Sequence, residues 1–279
     1  MEGPAVIAAD RWRSELAGWA IPDEIVNAAP ESPWGLPSEC FRRRGAVAAD
    51  HEPTPTTRRA LEALPEGGTV LDVGVGGGAT SLSLSAHAGL IVGLDAQQDM
   101  LQGFLANAEL AGVQARAVAG AWPDDAADVE QVDVVVSGHV VYNAAELEPF
   151  ARALDEHALR RVVVELTREH PLAWMRDLWL EFHALERPTG PTADDAEAVL
   201  RELGFHVERE ERVVSEQHGS GGYARREDAI HTVRKRLCLP AERDPEISER
   251  LGDRLRQIDD LWDVGPAVRV VVTLWWDRG

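Results

Sequence analysis

The residues with the clearest chemical content lie in one run, Val70-Leu71-Asp72-Val73-Gly74-Val75-Gly76-Gly77-Gly78-Ala79. A short apolar strand enters a loop made mostly of glycine, and a helix is predicted over 79–88. Residues without a Cβ turn tightly and let a ligand approach the backbone. Free amides and a helix N-terminus would then face that ligand, which makes the segment a nucleotide cradle. Gly74, Gly76 and Ala79 fit the spacing of a dinucleotide loop, and Asp95 follows roughly 20 residues on, where a ribose-binding acid belongs. Asp72 argues the other way. An acid inside the strand, two residues before the first glycine, would repel a pyrophosphate. It would suit a cofactor whose nearest groups are cationic. No Lys-Ser or Lys-Thr pair follows the glycines, so the pattern is not a P-loop.

The second chemical cluster is Ser137-Gly138-His139-Val140-Val141-Tyr142-Asn143. It is predicted at the carboxyl end of a strand, where open α/β sheets bind ligands. His139 can take a proton from a hydroxyl or amine, or be a packed histidine; Tyr142 can orient a substrate or fill the core. We take both as catalytic candidates.

These residues need a frame. Apolar runs at 69–73, 90–94, 115–119, 132–137 and 161–166 read as strands, separated by helical stretches at 79–88, 97–111 and 144–158. Their alternation predicts a doubly wound, mostly parallel α/β sheet with helices on both faces. Two later strands, 205–209 and 268–276, are expected to pair antiparallel, which brings the sheet to seven strands with an antiparallel last one. Trp12, Leu16 and Trp19 share a helical face within 8–20, and Thr56 or Thr57 is expected to cap a helix through Leu64. Thr192 is expected to cap another through Leu203. The long segment 210–266 carries a glycine-rich tip (Gly219, Gly221, Gly222) and helices expected near 225–237 and 245–260.

We therefore expect an N-terminal helical and proline-rich cap over 1–55. A nucleotide-binding domain follows over 56–279, with helical cap insertions near 170–190 and 210–266. His170 and His183 flank the aromatic segment Trp174, Trp179 and Phe182, which is either a packing stripe or a cover for an apolar pocket. The basic cluster Arg225, Arg226, Arg234, Lys235 and Arg236 also reads two ways. It is a solvated helix face balanced by Glu227 and Asp228, or a cap that recognises a carboxylate or phosphate; Arg42 to Arg44 could contribute similarly.

Composition narrows the partners. The 279 residues carry 48 acids against 28 bases, a formal net charge of −20, so nucleic acid is not favoured. No apolar run suits a membrane span, and the start lacks a basic, apolar leader, so a cytoplasmic protein without membrane contact is expected. Cys40 and Cys238 offer no ligand spacing, and no acids cluster near the strand ends, so no metal is expected. The oligomeric state is not legible.

The run Asp72 to Gly78, the strand Gly89 to Asp95, and the segments Ala119 to Pro123 and Val132 to Ser137 resemble the class I S-adenosylmethionine-dependent methyltransferases. The resemblance covers roughly residues 56–166, with the two late strands matching that family's terminal antiparallel pair. It implies a Rossmann-like methyltransferase fold, S-adenosyl-L-methionine as cofactor, and direct methyl transfer. It implies cofactor contacts from Asp72, Gly74, Gly76, Gly78, Asp95, Ala96, Gln97, Ala121, Trp122 and Ser137. Asp95 would take both ribose hydroxyls. The acid that often reads adenine is absent at Ala121, leaving Trp122 to stack on the ring or a backbone amide to serve. A small-molecule acceptor, with or without an acidic group, fits the charge and the insertions. No Asn-Pro-Pro-Tyr or Asp-Pro-Pro-Tyr run and no Pro-Cys pair follows the fourth strand. The alternatives are an RNA or protein methyltransferase and a non-catalytic S-adenosylmethionine-binding protein.

Overall fold

The structure is a computed structural model that describes residues 7–35, 38–50, 52–215 and 222–279; Gly219 and Gly221 of the expected glycine-rich tip lie outside them. Its frame is a seven-stranded sheet. The strands are β1 (Gly68–Val73), β2 (Ala88–Asp95), β3 (Ala115–Ala119), β4 (Val132–Gly138), β5 (Ala158–Thr167), β6 (Glu208–Ser215) and β9 (Val268–Asp277), in spatial order β3-β2-β1-β4-β5-β9-β6. The first five run parallel, and β9 lies antiparallel between β5 and β6. The order reverses between β1 and β4, and Asp72 pairs there with Gly93 on one side and Val136 on the other. Strand ends diverge at such a reversal, which opens a crevice at the carboxyl edge.

Helices α1 (Ile7–Ala17), α2 (Asp23–Ala28), α3 (Ser38–Ala46), α4 (Pro55–Ala63), α5 (Gln98–Leu110), α6 (Leu147–His157), α7 (Arg176–His183), α8 (Ala193–Glu202), α9 (Arg226–Arg236) and α10 (Asp244–Leu251) cover the sheet and its carboxyl edge. One apolar core packs α1, α6 and α8 on one face, and a second packs α4 and α5 on the other. Trp12, wholly buried, donates its indole N–H to the Ala144 carbonyl at 2.8 Å. Thr192 and Asp195 cap α8 reciprocally, as the Thr192 signal predicts.

The cap has its own core. Ile21 and Cys40 from the N-terminal region join Met175 and Trp179, Tyr223, Ile230 and Leu237, and Ile247 and Leu251. The N-terminal region does not fold apart, because Trp12 and Ala48 belong to the two sheet cores while Ile21 and Cys40 belong to the cap. Among the described residues no helix is long and apolar enough to cross a membrane.

Several expected elements differ. No α-helix forms over 79–88; only a single 3-10 turn, Leu82–Leu84, is present. Thr80, Ser81 and Ser83 bond sideways instead. The Ser81 amide donates to Asp72 at 3.2 Å, and Ser83 Oγ to the Thr80 carbonyl at 2.7 Å. The loop therefore has no helix dipole to offer a phosphate, which removes a main attraction for a dinucleotide. Helix α4 is capped by Thr54 with Pro55 in its first turn, so Thr56 and Thr57 lie inside it and are buried. Strand β6 starts at 208, later than expected. The helix expected over 245–260 stops at Leu251, where Gly252 turns the chain with φ +49° into a hairpin of β7 (Leu255–Ile258) and β8 (Leu261–Val264). Asp259, at φ +51°, supplies the left-handed residue its two-residue turn needs.

Helix α3 lies against the glycine loop. A Cβ on Gly45 would fall 1.7 Å from the Gly77 carbonyl oxygen, and Asn107 Nδ2 clamps the contact by donating to the Gly77 and Arg42 carbonyls. Replacing Gly45 with Ala is expected to displace α3, costing about 1–3 kcal/mol by overpacking. Thermal unfolding checks the loss, and hydrogen exchange should show it concentrated in α3 and the loop.

Candidate active site

The site starts at the end of β1. Gly74 has φ +72°, and a Cβ there would fall 2.4 Å from Val140 Cγ2; one on Gly77 would fall 2.1 Å from the Phe41 carbonyl oxygen. The loop is thus locked between α3 and the segment after β4. Gly76 and Gly78 also have positive φ, and Gly78 turns the chain back onto Leu82 and Phe104.

Two carboxylates face the loop differently. Asp95, half-buried at the end of β2, accepts the Gly76 amide through Oδ2 at 3.0 Å and the Gln97 amide through Oδ1 at 2.9 Å. It is held in place with lone pairs left for hydroxyl donors. Ala96 and Gln97 are exposed at the same edge. Asp72 is 1% exposed and accepts the Ser81 amide. Burial, reinforced by the Asp95 charge and only partly offset by Ser81, pushes its carboxyl up from 3.8 to about 6. A carboxylate this poorly compensated favours a cation.

Further along the edge, the Ala121 amide donates to Asp125 Oδ2 at 2.7 Å, and a Cβ on Gly120 would meet the Asp125 side chain. Asp125 thus folds back over the backbone of Gly120 and Ala121. Trp122 turns toward α6, with its indole N–H on the Phe150 carbonyl at 3.2 Å and its ring edge-on to His157. Ser137 is fully buried and donates its hydroxyl to the Val73 carbonyl at 3.1 Å, tying β4 to β1.

At the end of β4, His139 takes a left-handed backbone, φ +61°, a strained conformation that marks functional sites. Its amide donates to the Glu165 carbonyl at 2.7 Å, and Nε2 lies 3.1 Å from Glu165 Oε1. Thr56 donates to Glu165 Oε2 at 2.5 Å and contacts the Thr273 hydroxyl at 2.8 Å. Burial opposes the charge on Glu165, but His139, Thr56 and Arg212 outweigh it and hold the carboxyl at about 2. Tyr142 is not beside this pair. Its hydroxyl donates to the Thr167 carbonyl at 2.7 Å and its ring stacks on Trp12; burial raises its pKa. The structure thus places Tyr142 in the core against Trp12 and His139 against Glu165.

A family model described as a methyltransferase domain matches residues 70–161, from β1 into β5. That segment is a methyltransferase domain, and the protein is an S-adenosylmethionine-dependent methyltransferase. Among solved structures it resembles a SAM-dependent methyltransferase from Thiobacillus denitrificans in complex with S-adenosyl-L-homocysteine. The two are 18% identical, the match covers 88% of this chain and 100% of that one, and the TM-score is 0.52. The YcgJ protein of Bacillus subtilis is 15% identical, with coverage of 80% and 98% and a TM-score of 0.50. These similarities carry the fold. No curated protein matches the chain in sequence.

In this methyltransferase three members of the basic cluster, exposed Arg225, buried Arg234 and part-buried Lys235, already have protein partners. Arg225 pairs with Asp228 at 2.6 Å, Arg234 with Asp244 and Glu31, and Lys235 donates to the Trp34 and Gly35 carbonyls. Arg42 and Arg43 pair with Glu39. His170 is stacked on Trp19 at 4.0 Å, and burial lowers its pKa to about 3, so it is a neutral core residue; His183 bonds the Leu237 carbonyl.

The raised Asp72 carboxyl has a measurable sign. Between pH 3.8 and about 6 the native state holds this proton more tightly than the unfolded chain. The Asp72 contribution therefore makes stability fall as pH rises through that window and level off above it. Asp72→Asn is expected to stabilise the ligand-free protein at pH 7 by ~1–3 kcal/mol, with the gain vanishing near pH 4. Denaturant unfolding across that range checks it.

Proposed function

We propose that this methyltransferase acts on a small-molecule acceptor, with His139, positioned by Glu165, receiving the proton the acceptor sheds. The site residues fit the methyl donor on three observations: a buried, poorly compensated Asp72, a loop with no room for side chains, and an Asp95 carboxylate fixed by two amides. In this reading Gly74, Gly76 and Gly78 shape the cradle, and Asp72 faces the cationic end of the donor. Asp95, with Ala96 and Gln97, takes the ribose. Asp125 does at the adenine edge what an acid at position 121 would do, Ala121 lines the same edge, and Trp122 and Ser137 act by fixing the backbone there. Residues 56–279 form the methyltransferase domain, with 1–55 and the two insertions as its cap.

Bound S-adenosylmethionine supplies a methyl group on a sulfonium. An acceptor atom would take that methyl group, and His139 would receive the proton the acceptor sheds. With Nε2 held by Glu165, Nδ1 is the nitrogen left to accept it, and the Glu165 charge stabilises the imidazolium that results. The observation that carries the reading is the His139–Glu165 contact at the end of β4, next to Gly138, where a Cβ would fall 2.2 Å from Oγ1 of Thr80, just after the glycine loop. The net charge and the already partnered arginines of the basic cluster weigh against a nucleic-acid acceptor.

Calorimetry with S-adenosyl-L-homocysteine tests the donor site: we expect one site per chain, and Asp95→Ala to weaken it at least about tenfold through lost charge-assisted bonds. Binding of NAD with none of S-adenosyl-L-homocysteine would overturn the assignment. For the proton role, tritiated methyl transfer to hydroxylated and amino acceptors should fall about 10²–10⁴-fold in His139→Gln. S-adenosyl-L-homocysteine affinity should not change in that variant. Unchanged transfer would remove His139 from the chemistry.

A further inference from the structure

Nearly every arginine in this acidic chain has found an acid or a carbonyl. Among the described residues Arg44, Arg212 and Arg236 make neither a hydrogen bond nor an ion pair, although all three are at least half-buried. Arg212 has a fully buried Nε with no acceptor. Arg269 is little better placed. Its one acid, Asp263, lies 3.9 Å away and is taken by Arg256 at 2.6 Å.

Topology brings these side chains to one place. Arg212 on β6 pairs in register with Val271, and Glu165 on β5 with Thr273, so both share the face of β9 that carries Arg269 two residues before Val271. Arg44 enters from above, next to the Gly45 that rests on the glycine loop. Helix α3 is joined to the Gly222 carbonyl, next to Tyr223, by Cys40 Sγ at 3.4 Å and Arg43 Nη1 at 3.1 Å, and the charge of Arg44 is felt at Arg269. Arg236 approaches Tyr223 from α9, and its charge acts on Tyr223 as that of Arg269 does. The charges of Arg44 and Arg212 both reach Glu165, the partner of His139.

The geometry points to an anion subsite, formed by Arg44, Arg212, Arg236 and Arg269, that holds a carboxylate or phosphate of the methyl acceptor beside His139. Unpaired buried guanidinium groups are costly, and burial pulls the pKa of Arg44, Arg236 and Arg269 down. For Arg269, the nearby Arg256 and Arg44 add to that cost. An oxyanion bridging two or more of them removes the cost, and arginine's planar fork suits both oxyanions. Glu165 cannot do this alone, since Thr56 and His139 already occupy its oxygens. The subsite deepens the function proposed above and rests on its donor site.

Inorganic phosphate and, in parallel, acetate are titrated into full-length protein saturated with S-adenosyl-L-homocysteine, by calorimetry and thermal shift. We expect an anion to bind, and Arg236→Gln and Arg269→Gln each to weaken it about tenfold while S-adenosyl-L-homocysteine affinity stays within about twofold. Arg116→Gln, at an exposed arginine on β3, should leave both unchanged. Acetate alone binding assigns a carboxylate acceptor, and phosphate binding a phosphorylated one. Both variants should fold with unchanged or raised Tm, because each removes an unpaired charge. No anion response in the saturated wild type, or one that Arg116→Gln weakens equally, overturns the subsite. So does phosphate binding only without S-adenosyl-L-homocysteine, for the arginines would then serve the donor's carboxylate. Failure of S-adenosyl-L-homocysteine to bind the wild type would instead overturn the donor site.

Discussion

The architecture turns on backbone packed against backbone at the glycine loop. Gly77 touches the Phe41 carbonyl, Gly45 touches the Gly77 carbonyl, and Gly74 meets Val140, so the loop is held from both sides without a side chain between. Such contacts tolerate no added atom, and interiors packed this closely transmit displacement rather than absorb it. Helix α3 is therefore positioned by the same few carbonyls that shape the donor cradle, and it carries Arg44 with it. The position of β4's last residues is set from the same contacts, through Val140 and through the Thr80 approach to Gly138. Donor cradle, proton acceptor and cap arginines share one mechanical reference.

Electrostatics divides the two ends of this assembly. Around the cradle the dominant groups are acids, Asp72 and Asp95, and the repulsion between them adds to the cost of the Asp72 charge. Toward β9 and α9 lie Arg44, Arg212, Arg236 and Arg269, and the acids described near them, Glu165 and Asp263, are already engaged by other partners. His139 and Glu165 stand where the two regions meet. A donor that arrives positive and an acceptor that arrives negative would each be drawn to its own end.

Much of this was legible in the sequence. The alternation of strands and helices and the Thr192 cap of α8 follow from local periodicity and a capping residue, and the two late strands pair antiparallel as expected. Asp72 and Asp95 were legible because an acid in an apolar strand, or at its end, has few packing reasons to be there. Glu165 carries the same signature within Arg-Arg-Val-Val-Val-Glu-Leu-Thr, but its partner His139 comes from another strand, so spacing gave no link. Asp125 was hidden by a turn that folds it back over Gly120. The helix expected after the loop failed because a serine- and threonine-rich segment bonds sideways, a competition that apolar periodicity does not register. The unpaired arginines could not be told from the paired ones without their neighbours. In sequence the dense cluster at 225–236 draws attention, yet most of it already has protein partners.

The placement of β9 has a bearing on how the molecule is made. It follows every other strand in the chain, yet it lies inside the sheet, between β5 and β6. Until β9 has left the ribosome, β5 keeps an open edge and β6 has no neighbour to pair with. Thr273 and Arg269 arrive only with it, so the hydroxyl behind Glu165 and one of the four cations are missing from any shorter nascent chain. The parallel half can condense early, while chemistry waits for the final insertion. Assembly in that order leaves the Thr273 contact behind Glu165 and the Arg269 cation among the last features the molecule acquires.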